Sequence, residues 1–184
     1  MKLFKKLIAG KNSIVIISFI VAIFALLWFQ TNFSEHKKIN IPFKINKNAS
    51  FQISSPESVN LNHTFKVTVS MDTDKLAVNA IGLNINYENE NLRVVSIDTT
   101  QSFCQFYPEK KYNDNVGRIN LSCGSPEPGF TGQNDVLIIE FKPIKIGDTP
   151  IIIDPQSKIL LSDGKGTNVL REFPQAQVKI INSL

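Results

Sequence analysis

Seventeen consecutive residues without a charge, Ser13 to Phe29 (SIVIISFIVAIFALLWF), divide this chain into two parts with different solvents. As a helix rising ~1.5 Å per residue, such a run is just long enough to cross the ~30 Å hydrocarbon core of a bilayer. Lys2, Lys5, Lys6 and Lys11 precede it, and the first thirty positions hold no acidic residue. Lysines gather on the cytoplasmic side of a span. The asymmetry predicts a cytoplasmic basic segment (1–12), a transmembrane helix (13–30) and an exported remainder. Trp28 and Phe29 would sit at the outer interface, where aromatic rings are favoured. A cleaved signal peptide is the rival reading, with an apolar core of about 7–15 residues and a small-x-small cleavage site. No pair of small residues two apart follows the run here, so a retained signal anchor fits better. A buried soluble helix is the third alternative. Anchor and signal both place the C-terminal part outside the cytoplasm, and the anchor makes the chain a single-pass protein of the cell membrane.

The net charge of +4 belongs to the basic start. Beyond the first eleven residues, 16 Lys and Arg stand against 16 Asp and Glu. The exported part therefore lacks the basic surplus that nucleic-acid binding needs. Residues 31–49 mix charge, Asn and isolated apolar residues without periodicity, and read as a stalk. The C-terminal stretch, 50–184, is long enough for one domain with a real core.

From Phe51 on, apolar residues recur with period two. Phe65, Val67, Val69 and Met71 make one such face; Ile81, Leu83, Ile85 and Tyr87 make another, with Asn84 and Asn86 opposite them. Ile119, Leu121 and Cys123 alternate again, and Val136 to Phe141 is nearly all apolar, as in a central strand. Turn chemistry separates the runs at Ser55-Pro56, Asp72-Thr73-Asp74, Glu88 to Asn91, Pro126 to Gly132, Gly147-Asp148 and Asp163 to Gly166. Eight or nine short strands and no helical period after residue 31 predict an all-β sandwich.

Cys104 and Cys123 both lie in the exported part, where a disulfide persists. Their bridge would close a loop of about 20 residues, worth ~3 kcal/mol in the chain-entropy view. The alternative is two independent small core residues. The bridge is favoured because Cys104 lies in a loop-like Gln/Ser/Phe stretch that gains from a tie to a strand.

Residues able to do chemistry are few. His36 and His63 fall in the stalk and in a turn, with no spacing that makes either a base or a ligand. Asp72 and Asp74 have a D-x-D spacing that can chelate Ca²⁺, although a solvated strand-end turn is the simpler reading. Asp163-Gly164-Lys165-Gly166 lacks the later ligands of an EF-hand and reads as a glycine-rich turn. Gly129-x-x-Gly132 lacks the Gly-Lys-Ser/Thr of a phosphate loop. Asn-x-Ser/Thr triplets occur at Asn32, Asn48, Asn62 and Asn120 and are glycosylation acceptors only in a suitable host. Phe103, Phe106, Tyr107, Tyr112 and Phe130 fall in the stretch 98–132. Exposed and coplanar, Phe106, Tyr107 and Tyr112 would make a carbohydrate platform; otherwise Phe103 and Phe106 plug the sandwich end and Phe130 joins the core.

Four segments in order resemble the cohesin domain, the receptor module for dockerin domains in cellulosomes and other bacterial and archaeal surface proteins. Leu61 to Val69 (LNHTFKVTV) stands where that family has an opening G-x-x-F-x-V-x-V strand. Ile81 to Tyr87 followed by Leu92-Arg93-Val94 is similar to its strand ending in Tyr-Asp-x-x-x-Leu. Pro128 to Gly132 and Val136 to Lys142 match its G-x-T-G-x-G-x-L-x-x-I-x-F segment. Ser157 to Leu161 with Asp163 to Val169 resembles the ending of small membrane-associated members. Asn62 replaces the opening glycine, Glu88 replaces the usual Asp, and the two cysteines lie outside the cellulosomal pattern.

The resemblance implies a jelly-roll sandwich of about nine strands that binds a partner's helices with one sheet face and performs no catalysis. Polar residues alternating with the core ones, among them Asn79, Asn84, Asn86, Arg93 and Lys142, could hydrogen-bond that partner. No cofactor is implied for the chain itself; Ca²⁺ would enter through a dockerin-bearing protein. The rival expectation is a carbohydrate-binding module of the same fold, directed at cell-wall or environmental polysaccharide, since fold alone does not choose. An enzyme would need convergent titratable groups, and none can be named. A pilin-like subunit would need a processing Gly followed by Phe, whereas Gly10 is followed by Lys11.

Overall fold

The computed structural model describes residues 21–24 and 47–182. Of the apolar run, only Val21 to Phe24 lies among them, helical and exposed. The basic segment, the rest of the expected span and the stalk up to residue 46 lie outside the described residues. Among the described residues, no helix is long and apolar enough to cross a membrane.

The C-terminal unit is a sandwich of eleven strands in two sheets. The strands are β1 (Ser50–Ser54), β2 (Ser58–Asn60), β3 (Phe65–Asp72), β4 (Val78–Tyr87), β5 (Leu92–Asp98) and β6 (Phe106–Asn113). They continue with β7 (Arg118–Gly124), β8 (Gln133–Pro143), β9 (Gly147–Ile153), β10 (Lys158–Leu161) and β11 (Gln175–Ile181). One sheet has the order β1-β3-β8-β5. The other runs β2-β11-β9-β4-β7-β6, with β10 pairing the first half of β4.

The expected count of about nine strands is corrected by two that apolar alternation does not mark. β2 is three residues long and pairs in parallel with the end of β11. The break at Ser55-Pro56 carries the chain from β1 in one sheet to β2 in the other. β6 (FYPEKKYN) is an edge strand, so neither of its faces needs an apolar row, and Pro108 is tolerated where the ladder has an open side.

Period-two alternation builds the core because one face of each sheet is buried. Phe65, Val67, Val69 and Met71 of β3 and Leu137, Ile139 and Phe141 of β8 meet Ile81, Leu83, Ile85 and Tyr87 of β4 and Ile119 and Leu121 of β7. Phe141 touches both layers: its ring is 5.8 Å from Phe65 and 5.2 Å, edge-on, from Tyr87. Ala49, at the end of the expected stalk, is fully buried and bridges Leu170, so the sandwich begins before β1. Gly117, in the β6–β7 turn, has φ +64° and lies against the Tyr87 carbonyl. Any side chain there would collide with that backbone, and Tyr87 N–H donates to the Gly117 carbonyl at 2.9 Å.

Candidate functional site

The outer face of the larger sheet is assembled from rungs that the register sets. Ile152, Asn86, Arg118 and Asn113 form one rung across β9, β4, β7 and β6. Asn84, Asn120 and Lys111 form the next; Gly82, Ser122 and Glu109 the third, with Lys158 of β10 beside Gly82. Ala80, Gly124 and Phe106 form the fourth. On β4 and β7 each of these outward residues is the polar or small neighbour of a core residue one position away, which is why the alternation that buries Leu83 and Leu121 also lays out this face.

The face is held by its own hydrogen bonds. Asn120 Nδ2 donates to Asn84 Oδ1 at 2.5 Å, leaving Asn84 Nδ2 and Asn120 Oδ1 without a partner among the described residues. Arg118 Nε donates to Asn86 Oδ1 at 3.2 Å, and Asn86 Nδ2 donates to Asp154 Oδ2 at 2.9 Å. Arg118 Nη2 reaches the same carboxylate oxygen at 3.1 Å. The Gln156 N–H, then the Asn86 amide, and the Arg118 charge hold the Asp154 carboxyl below its ordinary range. Asp154 begins the turn that separates β9 from β10, and this turn replaces a strand partner for Asn84. Its Asp154 N–H and Ser157 hydroxyl both donate to the Asn84 carbonyl, while Asn84 N–H donates to Ser157 Oγ.

Two ion pairs lie on the face, Arg118 with Asp154 and Lys111 with Glu109 at 2.7 Å, while Lys158 has no ion-pair partner among the described residues. At one end, Asn86, Glu88, Pro150 and Ile152 line a shallow notch of about 230 Å³. The result is an open, largely polar surface with a small apolar foothold at Pro150 and Ile152.

The residues singled out from sequence separate. Asn84 and Asn86 share this face. Arg93 does not: it lies on β5 in the other sheet, opposite Lys142, and its guanidinium turns back to the carbonyls of Asn89 and Leu92. Residues of one period-two class share a face only within one sheet, and sequence spacing does not assign strands to sheets. Phe106, Tyr107 and Tyr112 do not form one platform. Phe106 is half exposed and its ring covers Gly124 on the outer face. Tyr107 packs toward the core, its hydroxyl donating to the carbonyls of Thr99 and Cys104. Tyr112 opposes the core residue Ile119. Between Phe106 and Glu109 the register slips, which parts the rings. Phe103 and Phe130 pack on each other at 5.1 Å and against the core.

Cys104 and Cys123 form a disulfide, tying the β5–β6 connection to β7. The Asp72-x-Asp74 segment is a closed turn in which Asp74 N–H donates to Asp72 Oδ1 at 2.9 Å. Asp163 likewise closes its loop by accepting from Lys165 N–H and the Thr167 hydroxyl. Among the described residues no three His, Cys, Asp or Glu side chains gather as metal ligands. Sequence reasoning missed Arg118, Asn120 and Asp154, which complete the outer network. The alternation of Asn120 with Ile119 and Leu121 was the available signal for one of them.

No family model matches the chain, and no curated protein matches it. Solved structures do. A cohesin module from a family 33 glycoside hydrolase of Clostridium perfringens superposes with TM-score 0.61 at 14% identity, covering 73% of this chain and 98% of that one. The domain has a cohesin-like fold. CaCohA2 from Clostridium acetobutylicum gives TM-score 0.61 at 14% identity over 73% of this chain and 92% of its own. The sixth cohesin of Acetivibrio cellulolyticus scaffoldin B, solved in complex with a Cel5 dockerin mutant, gives 0.59 at 14% identity, covering 73% and 98%.

Proposed function

We propose that this chain is a membrane-anchored, extracytoplasmic cohesin-like module that docks a dockerin-type protein through the outer face of β9, β4, β7 and β6. The observation that carries the reading is the cohesin-like sandwich, whose structural neighbours include cohesins solved with dockerins. The pre-ordered amides of Asn84 and Asn120 offer a donor and an acceptor to side chains of a partner helix. The notch at Pro150 and Ile152 accepts an aliphatic side chain. The apolar run Ser13 to Phe29 with its preceding lysines supports anchoring, and the disulfide supports an oxidising compartment. The activity is binding, with no catalytic step, and Ca²⁺ enters through the partner.

The test is affinity capture from the native organism with the full chain as bait, with and without Ca²⁺. The expected result is Ca²⁺-dependent capture of a protein bearing paired Asp-rich loop–helix segments. Asn84→Arg and Asn120→Arg, which place a bulky charge on the face, should abolish capture. Thr68→Arg on the opposite sheet should leave it intact. Capture that ignores the two Asn substitutions would put the docking surface elsewhere.

A further inference from the structure

A second recessed surface lies on the other sheet, on the side away from the docking face. β8 carries a bulge: Val69 pairs with Leu137, but the next residue, Ser70, pairs with Asp135. Val136 is the extra residue, and both it and Leu137 are buried, breaking the alternation. A bulge bends its strand and re-aims the side chains beyond it. Here it sets Gln52, Ser70 and Asp135 in one row across β1, β3 and β8, with Asp72 opposite Gln133 in the same ladder. The β5–β6 connection forms the remaining wall. Asn134 holds it there, donating to the Gln101 carbonyl at 3.0 Å and accepting from the Phe103 N–H at 2.8 Å. The Cys104–Cys123 bridge fixes the same connection to β7. The groove between these elements is about 350 Å³ and contains Gln52, Ser70, Asp72, Gln101, Gln133 and Asp135.

Its chemistry narrows the ligand. Two carboxylates and no lysine or arginine line the groove, which disfavours an anion. Three glutamine amides and a hydroxyl disfavour an apolar ligand. A divalent cation takes six or more oxygen ligands, yet among the described residues no three His, Cys, Asp or Glu side chains gather to hold one, and Asp72 is also engaged by N–H donors from Asp74 at 2.9 Å and from Gln133 Nε2 at 3.0 Å. What remains is a wall of mixed donors and acceptors, each amide offering both. Adjacent sugar hydroxyls, which donate and accept together, complement such a wall. We infer that the groove between β1, β3, β8 and the β5–β6 connection binds a short neutral saccharide. The site is separate from the docking face and from the aromatics of β6, so the inference stands or falls independently of the docking reading. Without an aromatic floor, hydrogen bonds carry the binding.

The experiment is an NMR titration of the full-length, isotope-labelled chain with cellobiose, maltose, chitobiose and, separately, CaCl₂. Saturable shifts of the Gln52, Gln101 and Gln133 side-chain amides with at least one disaccharide are expected. Gln52→Ala or Asp135→Ala should weaken binding by about tenfold, the size of one or two lost hydrogen bonds. Asn84→Arg should leave the sugar shifts unchanged. Shifts with CaCl₂ alone, or none at these residues with any of the three sugars, would overturn the inference.

Discussion

The Tyr87 hydroxyl donates a hydrogen bond to Asp114 Oδ1, and the same oxygen accepts the Val94 N–H at 3.1 Å. Tyr87 belongs to the larger sheet, Val94 to the smaller, and Asp114 to the β6–β7 turn. A single carboxylate oxygen thus joins both layers at the end of the sandwich where Gly117 rests on Tyr87. Burial, then the Asp114 hydrogen bond and charge, push the Tyr87 phenol well above its ordinary range.

That shift has a sign in stability. The unfolded chain releases the Tyr proton near pH ~10, whereas the folded chain keeps it to higher pH. The contribution is complete below about pH 10 and is lost as pH rises beyond it. Thermal melts from about pH 8 to 11.5 should fall more steeply for the native chain than for Tyr87→Phe. At neutral pH the same substitution should cost about 1 kcal/mol, because Asp114 loses the phenol donor and keeps only the Val94 N–H. Equal alkaline slopes would remove Tyr87 from this role.

Reduction of Cys104–Cys123 should lower stability by ~3 kcal/mol, the loop-closure value for a separation of 19 residues. Urea unfolding with and without dithiothreitol measures it. Coincident midpoints would mean that Asn134 and the Phe103–Phe130 contact suffice to hold the β5–β6 connection.

Phe141→Ala should cost about 3–5 kcal/mol, since its fully buried ring fills the space between Phe65 and Tyr87. Chemical denaturation reads this directly. A cost under about 1 kcal/mol would mean the layers collapse onto the cavity.

Asp154 predicts the acid limb. Its folded carboxyl titrates below the unfolded value of about 3.9, so its contribution is present above that pH and lost as pH falls through the folded value. Denaturation midpoints between about pH 2 and 6 should depend less on pH in Asp154→Asn than in the native chain. An identical dependence would show that Gln156, Asn86 and Arg118 hold the carboxylate too weakly to matter.

Period two was enough to predict an all-β sandwich, its buried rows and the outward position of Asn84 and Asn86, because strand geometry turns alternate residues to opposite faces whatever the partner strand. Two cysteines in a chain read as exported were enough to favour a bridge. Which strands share a sheet was not legible, because pairing is made between residues far apart in sequence. That is why Arg93 lies apart from Asn84, why Arg118 and Asp154 meet Asn86, and why β6 exists at all with its charged, Pro-containing sequence. Only tertiary structure could place the bulge at Val136 beside Gln101 and open a groove between them. The sequence by itself determined which side chains face inward wherever a strand alternates without a bulge; the pairing of strands decided where the bulges fall and which outward side chains became neighbours.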